Sequence, residues 1–239
     1  MDSANVAVIA ASVVEQLGGR YSTELGIDLD ADDEEIERWF VAATLFGARI
    51  SAQIAERTFH ELERAGIRRV ADADKFSWGD LVELLDAGGY ARHDFRTATR
   101  IQGLAKVMTE EYDGAVGELG RRYTDPDELE DALGELPGWG PVTTDLFLRE
   151  LRGVWPGAQP PLDPRATDAA RHLGLLAPGA RGELARITHL ADLAGCDVRD
   201  LESALVRLTL AHRRMADCPG YHACIAFDIA DEATGTSED

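Results

Sequence analysis

The chain has 239 residues, 45% of them apolar, enough for one large or two small packed units. No apolar run reaches the roughly 18 residues that a membrane-spanning helix needs, and three cysteines (Cys196, Cys218 and Cys224) are too few for a disulfide framework. The 44 acidic residues outweigh 24 basic ones for a net charge of -20, which argues against a uniformly basic nucleic-acid-binding surface.

In chain order the pattern is helical almost throughout. Val6 to Leu17 is apolar but interrupted by Glu15 and Gln16, with no basic segment before it. It therefore reads as a helix ended by Gly18-Gly19 and not as a signal peptide, so a cytoplasmic protein is expected. Gly26 to Asp33 is an acidic connector. Glu34 to Ala48 places Ile36, Phe40, Val41, Thr44 and Leu45 at helical spacing, and Ser51 to Ala65 continues the pattern to Gly66. Ser77 to Leu85 starts on a serine cap and ends at Gly88-Gly89; Asp94 to Thr109 is a longer helix. Asp125-Pro126 opens the next, with aspartate as cap and proline in the first turn, and it runs to Glu135. Helices are also expected over Pro141 to Leu151, Pro164 to Leu173, Gly182 to Leu193 and Val198 to Arg213. No alternating strand pattern occurs, so the fold class is all-α. The tail 229–239 is acidic and expected to be disordered.

Two local features carry chemistry. Leu136-Pro137-Gly138-Trp139-Gly140, followed by Pro141-Val142-Thr143-Thr144, is a glycine hairpin between two helices. Gly138 and Gly140 permit close backbone approach, and the N–H groups that open the second helix suit a phosphate oxygen. Trp139 would turn inward as an anchor. The same letters also describe an ordinary corner between helices. Asp163, before Pro164, is an ideal helix cap. It is equally a carboxylate at a helix mouth that can do chemistry on what a phosphate held by the hairpin brings.

With these residues the chain resembles the helix-hairpin-helix DNA glycosylases of the endonuclease III branch. Their hairpin reads Leu-Pro-Gly-hydrophobic-Gly, then two residues, then Thr-Ala; Leu136 to Gly140 match, and Thr143-Thr144 stand at the last pair. Phe40 to Leu45 and Gly88-Gly89-Tyr90 resemble further family segments, so that the likeness runs from about Tyr21 to Cys224. It implies a two-lobed all-α fold with a cleft between the lobes. One lobe would span 32–140; the other would join 1–31 to 141–228 and carry Asp163 as catalytic carboxylate. It also implies a monomer that binds double-stranded DNA holding a damaged or mismatched base, in the cytoplasm at the nucleoid.

The resemblance also fixes what is altered. Lyase relatives carry a lysine two residues after the second hairpin glycine; here that position is Val142, which implies a glycosylase that uses water and leaves the strand uncut. The expected DNA contacts are Gly138, Trp139, Gly140, Val142 and Thr143 of the hairpin, with Arg92, Arg96 and Arg165 on phosphates. Arg49 or Tyr90 would fill the gap left by the flipped base; each also reads as an ordinary surface or core residue. Relatives hold an iron–sulfur cluster with Cys-x6-Cys-x2-Cys-x5-Cys. Cys218 and Cys224 match the last pair, but Leu208 and Met215 occupy the first two positions, so the cluster is expected to be absent. His212, Cys218, His222 and Cys224 form an alternative zinc set, although their spacing matches no standard finger. His60, His172 and His189 read as ordinary core or surface histidines. If the chemistry has been lost, the alternative is a non-catalytic DNA-binding or scaffold protein.

Overall fold

A computed structural model describes residues 3–48, 50–91, 93–212, 215–220 and 224. Among these residues the chain is all-α: twelve α-helices and no strand. They are α1 (Ser3–Leu17), α2 (Tyr21–Glu24), α3 (Asp33–Phe46), α4 (Ala52–Arg64), α5 (Trp78–Gly88), α6 (Asp94–Glu111), α7 (Gly117–Arg122), α8 (Pro126–Gly134), α9 (Pro141–Glu150), α10 (Pro164–His172), α11 (Glu183–Ala194) and α12 (Val198–Ala211).

The helix starts follow local chemistry. Asp32 caps α3 by accepting the N–H groups of Glu34 and Glu35 at 2.9 and 3.1 Å. Three acids, Asp33 to Glu35, then fill a first turn whose dipole favours negative charge. Ser77 and Asp80 form a reciprocal capping box on α5, and Gly89 ends that helix in the left-handed region. Asp125 caps α8 with Pro126 in its first turn. Each such cap contributes about 1 kcal/mol. Two short elements, α2 and α7, and a 3₁₀ turn over Val70–Lys75 lack the long apolar period and are not evident from the sequence.

The chain divides into two compact units, Ser22–Pro160 and Met1–Tyr21 with Pro161–Asp239. In the first, α3 is central: it packs on α4, α7 and α9, while α4 packs on α5 and α5 on α6. Trp39, Phe40, Phe59 and Phe147 are fully buried there. In the second, α1 packs on α11 and α12, and α10 lies along α12 around Ile9, Val13, Leu173, Leu190 and Leu205. The units differ from the lobes expected at 32–140 and 1–31 with 141–228. Residues 22–31 and 141–160 group with 32–140, because α9 packs on α3 and α8. The tail 229–239 lies outside the described residues.

Candidate functional site

In the unit formed by residues 22–160, α8 ends at Gly134 with Glu135 as its C-cap and α9 begins at Pro141, leaving Leu136 to Gly140 as the hairpin. The Trp139 N–H donates to the Leu136 carbonyl at 3.0 Å and closes the turn. Gly138 has φ +78°, and a Cβ there would lie 2.5 Å from Arg100 Cδ. The hairpin thus rests on α6 through the Arg100 side chain, which sequence reading did not single out. Trp139 turns inward and is 6% exposed. Its ring stacks on Phe40 at 4.4 Å, meets Phe147 edge-on, and its Nε1 donates to Thr44 Oγ1 at 3.2 Å.

This burial corrects part of the expected contact set. Trp139 anchors the hairpin from inside and offers no side-chain contact to DNA. Thr143 is buried too: its N–H donates to the Gly140 carbonyl at 2.9 Å, and its side chain packs on Gly47. What remains outward is Gly138 and Val142, both exposed, with Gly140 half-buried between them. Val142 is 57% exposed; Pro141 has no N–H, and the Val142 N–H lies in a first turn that lacks a preceding helical acceptor. Tyr90 is likewise a core residue. It is 1% exposed and donates its hydroxyl to the Leu45 carbonyl at 2.9 Å, so it is not available to enter a base stack. Burial pushes its phenol up to about 12, against the opposing pull of Thr97, Arg100 and Arg96. Those two arginines lie one turn apart on α6; Arg96 is exposed, with Nη2 3.3 Å from His93 Nδ1. Arg49 and Arg92 lie outside the described residues.

In the other unit, Asp163 caps α10. Its Oδ1 accepts the Arg165 N–H at 2.8 Å, and the Arg165 guanidinium grips both oxygens, Nε to Oδ1 at 3.0 Å and Nη2 to Oδ2 at 2.7 Å. Arg165 was expected on a phosphate; here it is the partner of the carboxylate. Asp163's backbone N–H donates to Oε1 of Glu202, a fully buried carboxylate on α12 that sequence reading missed. The same chain contains its own comparison. At the start of α12, Asp197 holds Arg199 in the same way, accepting its N–H at 2.8 Å and its Nη2 at 2.6 Å. The Asp-x-Arg clasp is therefore a local capping device. Burial sets Asp163 apart, its side chain 5% exposed against 30% for Asp197.

The cysteine loop differs from the expected zinc set. His222 lies outside the described residues. His212, Cys218 and Cys224 come together with His172, the last residue of α10, and Cys196 is not in that group. A separate cavity of about 420 Å³ beside α3 is lined by Asp33, Glu37, Arg68, Arg69 and Asp72 among others; none of the expected site residues lines it.

No protein-family profile matches the chain. Over 129 residues it is 28% identical to a protein named Endonuclease III from Synechocystis sp., an alignment covering 53% of this chain and 52% of the relative. The chain thus spans about half the length of the curated relative that it matches.

Proposed function

We propose that this protein is a DNA N-glycosylase that removes a damaged or mismatched base by hydrolysis and leaves the strand uncut. The observation that carries the reading is Asp163, a carboxylate almost wholly withdrawn from water at a helix N-terminus. The similarity to Endonuclease III and the glycine hairpin supply the DNA context. In the reaction the bond from C1′ to the base nitrogen breaks and its electron pair leaves with the base. Positive charge spreads over C1′ and the ring oxygen, and the Asp163 carboxylate stabilises it. Water then attacks C1′ and gives up a proton to the carboxylate. Arg165 must release Oδ2 for that transfer, and its side chain, 38% exposed, has room to swing towards a phosphate. At the hairpin, the outward Val142 N–H in the first turn of α9 holds the backbone phosphate.

The clasp shared with Asp197 and Arg199 favours a second reading, in which Asp163 is a helix cap and the protein binds DNA without chemistry. A panel of duplexes, each with one lesion or mismatch, separates the two. The glycosylase releases free base from at least one duplex, produces strand breaks only after alkali, and forms no borohydride-trapped adduct, since Val142 offers no amine. Duplex binding with no base released from any member would establish the second reading.

A further inference from the structure

The ligand atoms of His172, His212, Cys218 and Cys224 lie within 4.8 Å of one another. Three elements bring them there. His172 ends α10, His212 follows α12 as its C-cap, and Cys218 and Cys224 belong to the segment beyond the 3₁₀ turn Met215–Asp217. The rings of His172 and His212 meet edge to face at 5.1 Å. His172 Nε2 lies 3.3 Å from Cys224 Sγ.

Two observations mark this group as more than neighbouring side chains. First, His212 is 7% exposed, and its Nε2 is buried with no hydrogen-bond partner. Leaving such an atom unbonded in an apolar surround is costly unless something binds it. The surround is apolar: Cys224 belongs to the hydrophobic core of this unit, and Met215 and Cys218 pack against it. Second, the backbone is shaped around the group. Gly220 has φ +71°, and a Cβ there would lie 2.5 Å from the His172 carbonyl oxygen and 3.3 Å from its ring. The backbone at residue 220 can approach the histidine so closely only because that residue is glycine.

We propose that these four residues bind one zinc ion in a closed tetrahedral site. Zn–N bonds near 2.0 Å and Zn–S bonds near 2.3 Å place the ligands of such a site about 3.3–3.8 Å apart. The His172–Cys224 separation of 3.3 Å is already in that range, and the other ligand atoms lie within 4.8 Å of one another. The donor set does not fit an iron–sulfur cube. It has two thiolates where the cube takes four, and a sphere of this width holds a single ion. All four positions are filled by protein, which makes the ion structural. It would tie the C-terminus of α10 to the C-terminus of α12, the helix pair whose opposite ends carry Asp163 and, one turn in, Glu202.

The test uses the full chain purified without added metal or chelator. Elemental analysis is expected to give one zinc per chain and no iron. After chelator treatment, Co(II) titrated into the wild-type protein should produce tetrahedral ligand-field bands with a thiolate charge-transfer band, saturating at one equivalent. Cys224→Ser and His172→Asn should each lose the bound zinc. If a variant fails to fold, the wild-type cobalt titration still decides. Iron with sulfide, a Cys218–Cys224 disulfide without metal, or a cobalt titration without tetrahedral bands would each overturn the site.

Discussion

Glu37 illustrates what a single buried group does to the protein. It sits on α3 and is 4% exposed; its Oε1 accepts the Val116 N–H at 2.6 Å, and its Oε2 has no hydrogen-bond partner. Burial pushes its carboxyl from 4.5 up to about 7, against the Val116 hydrogen bond and the charge of Arg69. Below pH 4.5 the folded and unfolded chains both hold the proton. From there to about pH 7 the unfolded chain ionises first, so stability falls as pH rises across that window and levels off above it. Glu37→Gln keeps the acceptor for Val116 and never carries the charge. It should match the wild type near pH 4 and be more stable by roughly 2–3 kcal/mol at pH 8. Urea midpoints at the two pH values read this directly, and a gap that does not vary with pH would contradict it. Neither Glu37 nor Glu202 was legible in the sequence, where each is one acid on a helix among many. Their burial comes from partners distant in the chain, Val116 and Asp163. His172 was passed over for the same reason, since only the packing of α10 on α12 brings it to the cysteines.

At the scale of elements, the long helices were legible, and several of them open on a side-chain cap. Asp32, Ser77, Asp125, Asp163 and Asp197 each accept an N–H at a helix start. The hairpin was legible as a turn with Trp139 directed inward, but the burial of Thr143 was not. Trp139 and Thr143 face the core because α9 packs on α3, a contact that no local pattern encodes. Two glycine substitutions separate the hairpin's folding from its proposed work. Gly138→Ala forces a Cβ into the left-handed region and against Arg100, and should cost about 1–2 kcal/mol of stability. Gly140 is extended, at φ -145°, and a Cβ there meets nothing within 4 Å. Gly140→Ala should therefore lose no more than about 1 kcal/mol, the difference between glycine and alanine as a cap. If a phosphate closes on this backbone, Gly140→Ala will nonetheless weaken duplex binding several-fold. Unchanged binding would remove the hairpin from the interface.

For the whole molecule, the charge of -20 remains the feature that any DNA reading must accommodate. Much of the arginine is spent internally, on Arg20–Asp200, Arg38–Glu63, Arg171–Glu183 and Arg199–Asp197. Positive charge beside the hairpin comes from α6, through Arg100 against Gly138 and Arg96 one turn away. The all-α class followed from helical spacing and the absence of alternation, but the division into units did not, since it depends on which helices pack together. The central claim is chemical and rests on one carboxylate. Asparagine caps a helix as well as aspartate does, so Asp163→Asn should fold, with the ion pair to the partly exposed Arg165, worth about 1 kcal/mol, given up. Single-turnover base release, wild type against Asp163→Asn on a duplex from which the wild type frees a base, is the direct measurement. Loss of a carboxylate that stabilises the developing cation predicts a fall of about 10²-fold or more, with duplex affinity retained. Equal rates would show that Asp163 is a helix cap, like Asp197, and that base release has another origin.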